Sequence, residues 1–152
     1  MSKITKQTVF EVGEIRLVYL PELQSMMMVH PESGSEPEYK TAFVKLLSLY
    51  EQYPWKVSVS NETQMKSIPT SVRIWMATKY PRLPGAKELL KTQVEVVNIK
   101  ARNAFGAGLA RIFHQMLQRI TGLKVNYFQT EEEAFEYLKK GYYQPMLAST
   151  SL

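Results

Sequence analysis

Three hydroxyl residues fall within KSIPTSVRIW, residues 66 to 75: Ser67, Thr70 and Ser71. At a helix start such hydroxyls have two uses. They can cap the helix by accepting from its first free N–H groups, or they can carry a phosphate, which the positive helix end favours. Acid–base chemistry has few other candidates: Glu62, Glu95 and His114. An acid and a base must meet at hydrogen-bond distance before their pKa values matter, and the spacing of these three brings no two together. His30, at the exit of an apolar segment, reads as a structural or solvated histidine. The run Met26-Met27-Met28 could offer soft thioether ligands, but in an apolar strand covered on both faces methionine serves as adaptable core filling. Gly106-Ala107-Gly108 matches only part of a phosphate-binding glycine pattern. It lacks a third Gly and a following Lys-Ser/Thr, so small residues letting a helix approach a sheet are the simpler reading.

What is missing narrows the chemistry further. The 152 residues contain no cysteine, and all 14 acidic residues are Glu. Disulfides, thiolate catalysis and cysteine-ligated zinc are excluded. The Ser-His-Asp triad, the Asp-based calcium loop, the aspartyl phosphoacceptor and the Walker B aspartate are discouraged, although Glu can stand in for some of them. With His30 and His114 the only histidines and no HExxH spacing, no metal, no cofactor and no catalytic residue is expected. The lack of cysteine suits a cytoplasmic protein. No apolar run approaches the ~20 residues of a membrane span, and the start MSKITKQTVFEVGEIR lacks the apolar block of a secretory leader. The net charge of +5 comes from Lys and Arg scattered over the second half, among them Lys79, Lys100, Arg111 and Lys124. Such scatter reads as a solvated basic surface, not as a nucleic-acid site.

At 45% hydrophobic and 22% charged the composition is globular, and the length fits one domain, placed at residues 8 to 141 with loose tails at 1–7 and 142–152. TVFEV, IRLVYL and SMMMV read as strands, the last two forming an antiparallel hairpin. HPESGSEPE is a loop leading to a helix capped by Ser35, with Tyr39, Phe43, Leu46, Leu47 and Tyr50 inward and Pro54 as its stop. WKVSVS reads as a strand with Trp55, Val57 and Val59 on one face. The helix after it would be capped by Ser67 and bury Val72, Trp75, Met76 and Tyr80, with LPGAK ending it. TQVEVVNI is apolar enough for a central strand. NAFGAGLARIFHQMLQRITG is the most regular helix, stopped by Gly122; His114 lies at the boundary of its apolar face and reads as structural. KVNYF is a last strand, and QTEEEAFEYLKKG a last helix with a Thr130–Glu133 capping box and Ala134, Phe135 and Leu138 inward. The order β-β-β-α-β-α-β-α-β-α means an α/β fold: a mixed sheet, antiparallel at its opening hairpin, covered by about four helices.

In these segments the chain resembles the STAS domain of sulfate transporters and anti-sigma-factor antagonists. More closely it resembles the SpoIIAA-like, or STAS/SEC14-like, small bacterial proteins. The pieces that carry the likeness are IRLVYLPELQSMMMVHP, WKVSVSNETQMKSIPTSVRIW, VEVVNI and the closing VNYFQTEEEAFEYLKK. In anti-sigma-factor antagonists the segment matching KSIPTSVRIW carries Asp-Ser-Ser-Gly, with one serine phosphorylated by a partner kinase. Here the matching residues are Pro69-Thr70-Ser71-Val72, so the hydroxyls are kept and the motif around them is not. The resemblance implies a non-enzymatic STAS-like protein-interaction or regulatory module of bacterial signalling. Its partner would be another protein docking around Ser67, Thr70 and Ser71. The SEC14-like side of the resemblance implies an alternative, a carrier or sensor of a small apolar ligand or lipid. A homodimer through an edge strand or the tail is compatible with either.

Overall fold

The computed structural model describes residues 3–100, 115, 118–119 and 122–145. Six strands lie in sequence order across one sheet: β1 (Gln7–Val12), β2 (Ile15–Leu20), β3 (Ser25–Val29), β4 (Val57–Asn61), β5 (Glu95–Ile99) and β6 (Lys124–Phe128). β1, β2 and β3 pair antiparallel; β3, β4, β5 and β6 pair parallel. This is the mixed α/β sheet expected from the pattern. Four helices are described: α1 (Glu36–Gln52), α2 (Thr70–Thr78), α3 (Ala86–Thr92) and α4 (Glu131–Tyr142). The steps from β3 to β4 and from β4 to β5 run the same way across the sheet, so crossovers of one hand put α1, α2 and α3 on the same face. There Tyr39, Ala42, Leu49, Val72, Met76 and Leu89 pack against Ile15, Leu17, Met26 and Met28. α4 covers the opposite face, where Ala134, Phe135 and Leu138 meet Leu20, Met27, Val57, Val59, Val97 and Ile99. The three methionines divide between the two cores as the pleat requires.

Several expectations need correction. α2 ends at Thr78, ahead of Pro81 and LPGAK as read, but a further helix that was not expected follows. Gly85, at φ 89°, starts α3, whose seven residues are too few to show a helical period in the sequence. Trp55 is not on the face of Val57 and Val59. It precedes β4 and packs on the α1 side, edge-on to Tyr50 with ring centres 5.0 Å apart. Order also reaches past both expected tail boundaries. The backbone N–H and the hydroxyl of Thr5 donate to Glu22, Lys6 pairs with Glu131, and the Gln144 N–H donates to the Glu22 carbonyl. The regular helix expected at 103–122, with His114 and Gly106-Ala107-Gly108, lies largely outside the described residues. Its expected stop, Gly122, does adopt φ 73° and returns its N–H to the Gln118 carbonyl.

The helix caps were legible. The Ser35 hydroxyl accepts from the Glu38 N–H, and the Glu38 carboxylate accepts from the Ser35 N–H, closing a capping box on α1. Thr130 accepts from the Glu133 N–H, while Glu133 reaches the Gln129 N–H instead of closing the box on Thr130. The β1–β2 turn leans on the first of these caps: Gly13, at φ 58°, leaves room for the Glu38 carboxylate, which an added Cβ would meet at 2.2 Å. Gly13→Ala should therefore disturb both the turn and the α1 cap, lowering stability by about 1–2 kcal/mol in urea unfolding.

Candidate functional site

The pleat of three neighbouring parallel strands carries polar side chains onto the face covered by α1, α2 and α3. Met26, Met28 and His30 alternate out of β3; Ser58, Ser60 and Glu62 alternate out of β4; Val96 and Asn98 alternate out of β5. The chain beyond the strands keeps the pairing going. The His30 N–H donates to the Asn61 carbonyl at 2.9 Å, the Glu62 N–H donates to the Ile99 carbonyl at 2.9 Å, and Ser33 bridges to Ser67. His30 and Glu62 thus sit in fixed backbone just past the carboxyl ends of β3 and β4, where open α/β sheets commonly hold ligands.

A relay of side chains joins these positions. Tyr39 of α1, fully buried, meets His30 Nδ1 at 3.0 Å; His30 Nε2 meets Ser60 Oγ at 2.9 Å; Ser60 Oγ donates to Glu62 Oε2 at 2.5 Å. Burial, helped by the Glu62 and Glu38 charges, pushes the Tyr39 phenol well above its usual range, so it stays protonated and can donate. The network then assigns the tautomer: Tyr39 donates to Nδ1, Nε2–H donates to Ser60, and Ser60 donates to the Glu62 carboxylate. Burial also pushes the Glu62 carboxyl up to about 7. The Ser60 hydroxyl and the Asn98 amide oppose that rise.

Beside the relay is an apolar cavity of about 130 Å³. Met26, Met28, Trp55, Met65, Met76 and Tyr80 contribute to its wall, and His30, Ser60 and Glu62 supply a polar end. A second polar group lies at the amino end of the strands: Ser58 donates to Gln93 Oε1 at 2.6 Å and accepts from the Trp55 indole, and Gln93 donates to the Trp55 carbonyl. The cavity compares in size with the engineered dry cavity of about 150 Å³ that admits benzene.

Ser67, Thr70 and Ser71 are not part of this site. α2 starts at Thr70 with Pro69 in the cap position and no side-chain cap, so Ser67 does not cap it. Ser67 is drawn instead to Ser33, at 3.2 Å between hydroxyls, because the loop after β4 runs alongside the loop after β3. Thr70 and Ser71 are exposed; Arg73 donates to Thr70 Oγ1 at 3.2 Å, and Ser71 bonds the Glu36 carboxylate. Glu62 and Glu95 point to opposite faces. Glu95, 4% exposed, accepts from Tyr137 (3.0 and 3.1 Å), Tyr142 (2.5 Å) and Asn126 (2.7 Å) beneath α4. His30, Ser58 and Ser60 were missed by the sequence reading. The available signal was the period of two, which puts His30 in line with Met26 and Met28, and Glu62 in line with Ser58 and Ser60. Among the described residues no three acidic, histidine or cysteine side chains cluster as metal ligands, and no helix is long and apolar enough to cross a membrane.

The sequence matches no protein-family model and no curated protein. Among solved structures, the chain is similar to an uncharacterized protein of the DUF3478 family with a SpoIIAA-like fold from Shewanella loihica PV-4. The two are 14% identical with a TM-score of 0.49, over 91% of this chain and 98% of that one.

The raised Glu62 pKa fixes a pH dependence of stability. Below about pH 4.5 the carboxyl is protonated both folded and unfolded. Between about 4.5 and 7 the unfolded chain releases this proton while the folded chain keeps it, so stability falls as pH rises and then levels off. Glu62→Gln should remove that component. The unfolding free energy of the variant relative to the parent should grow by up to about 3 kcal/mol across this window, read by urea titrations at successive pH values.

Proposed function

We propose that this protein is a non-enzymatic, cytoplasmic SpoIIAA-like sensor or carrier that holds a small, largely apolar molecule between the sheet and α1–α3. The observation that carries this reading is the apolar cavity with a polar relay at one end. A pocket of that composition, apolar walls with a few convergent polar groups, is the usual form of a small-molecule site. Methionine supplies four of the lining residues, Met26, Met28, Met65 and Met76, and its flexible thioether can repack around occupants of different shape. Catalysis is a poorer reading of the same groups. Ser60 lies between a histidine and a carboxylate, but its strand is laddered on both sides, to Met28 of β3 and Asn98 of β5. Acyl transfer needs uncommitted N–H donors beside the nucleophile to hold an oxyanion.

The wall of the cavity suggests an output. Met76 of α2, with Met65 and Ile68 just before it, lines the interior, while Thr70, Ser71 and Ile74 of the same helix face solvent, Ile74 at 58% exposure. An occupant that moves α2 changes the surface on which a STAS-like protein partner would act.

Native mass spectrometry of protein purified without denaturation should reveal a small-molecule adduct, and toluene added to stripped protein should raise the melting temperature. Leu46→Trp, which fills the cavity from α1, should abolish both effects while leaving the protein folded by circular dichroism. Absence of any adduct together with no thermal response to toluene would sink this reading.

A further inference from the structure

We propose that the outer side of the segment running from the end of α2 through α3 docks on an anionic lipid bilayer, with Lys79, Arg82, Lys87 and Lys91 against the headgroups. This holds whatever the cavity contains. It begins with where the charges fall. Residues 63–130 carry eleven Lys and Arg and only two Glu, whereas the rest of the chain carries eight Lys and Arg and twelve Glu. One of the two, Glu95, is buried beneath α4 and bound by Tyr137, Tyr142 and Asn126. Glu88 is left as the one exposed acid of this stretch.

The fold gathers four of these cations into a short run of turns. Lys79 closes α2 by donating its N–H to the Trp75 carbonyl, and the Arg82 N–H returns to the Lys79 carbonyl at 3.0 Å. α3 then buries Ala86 and Leu89, which turns Lys87 and Lys91 outward, one helical turn apart. All four cations are exposed, and among the described residues none of them enters an ion pair. All 14 Glu of the chain fall within those residues, so no acid side chain remains elsewhere to neutralise them. The inner side of the same turns is apolar, with Tyr80, Pro81, Leu89 and Leu90 lining the cavity. Acids gather instead on α4, across the sheet, as Glu131, Glu132, Glu133 and Glu136. A negative plane therefore attracts the α3 side and repels the α4 side, which sets one orientation.

The side chains among the cations choose between anionic partners. From Lys79 to Lys91 there is no Asn or Gln, and the one aromatic residue, Tyr80, is buried. Nucleic acid would be gripped through such amides and aromatic platforms. What this surface exposes is aliphatic: Pro84, with Ile74 of α2 before it at 58% exposure and Val94 after it at 51%. Aliphatic groups gain by entering the boundary between headgroups and acyl chains, and about four to eight clustered Lys and Arg suffice to hold a protein at an anionic leaflet.

Co-sedimentation of the full chain with vesicles tests this. Each surface cation is worth about fivefold in partitioning onto an anionic bilayer. The protein should bind phosphatidylcholine vesicles containing about 30% phosphatidylserine at about 0.1 M salt, leave them at about 0.5 M, and ignore pure phosphatidylcholine. Arg82→Gln/Lys87→Gln/Lys91→Gln should weaken binding about a hundredfold. Lys3→Gln/Arg16→Gln/Lys140→Gln, which removes the same charge from exposed positions elsewhere, should weaken it a few-fold at most, and both variants should melt as the parent does. Equal binding to neutral vesicles, equal loss in the two variants, or no vesicle binding at all overturns the proposal. So does a duplex DNA 20-mer that binds through the same three cations more tightly than the anionic vesicles do.

Discussion

A parallel strand between two parallel neighbours, roofed on both faces, has no solvent side on which to place a polar residue. β4 is such a strand, and its sequence alternates Val57 and Val59 with Ser58 and Ser60 before reaching Asn61 and Glu62. The valines satisfy the α4 face. The serines and Glu62 therefore must be housed beneath α1, α2 and α3, at a cost that only hydrogen bonds can offset. Most of what distinguishes this molecule from a plain apolar sandwich follows from that requirement. Ser58 draws Gln93 and the Trp55 indole to it, and Ser60 draws His30 and through it Tyr39.

The relay also ties the layers together. Tyr39 comes from α1, His30 from the exit of β3, Ser60 and Glu62 from β4 and its continuation, so one set of bonds sets the height of the helix over the sheet. Neighbouring features reinforce it: the Tyr39 ring lies against Gly34, where an added Cβ would come within 2.7 Å, and stacks on Phe43 with centroids 6.2 Å apart. The cavity persists beside this framework because α1 is held from one end by polar contacts as well as pressed down by apolar ones. A close-packed interior would otherwise shrink such a gap.

The fold was largely legible because its signals are local and periodic: β-branched runs, helical stripes, Ser35 and Thr130 ahead of acidic first turns. α3 escaped because seven residues between LPG and a strand carry too little period. Ser67 was misjudged as a cap because an Ser-Ile-Pro string looks like a helix entry, whereas its hydroxyl answers to Ser33, 34 residues away. The site was the least legible part. Period two places Ser58, Ser60 and Glu62 on one face, but the same alternation with valines describes a half-exposed strand equally well. Whether that face meets water or helices depends on crossovers dictated by strands elsewhere in the sheet. His30 likewise looks solvated after VHP until parallel pairing beyond β3 and β4 carries it inside.

The two buried carboxylates, Glu95 of β5 and Glu62 just past β4, are housed differently. Glu95, under α4, accepts from two phenols and an amide, and burial together with the contact with Glu95 holds both phenols above their usual pKa range, so they remain donors. Its donors come from β6 and α4, and the Tyr142 backbone carbonyl in turn accepts from Gln24. Those bonds to Glu95 fasten α4 and β6 to β5. Glu62 is equally buried, accepts from the Ser60 hydroxyl, and lies at the polar end of the apolar cavity. Two carboxylates at the same depth in one sheet thus differ in what surrounds them. The Glu95 bonds fasten α4 to the sheet, and the Ser60–Glu62 bond ends the relay that joins β4 to His30 and, through it, to Tyr39 of α1.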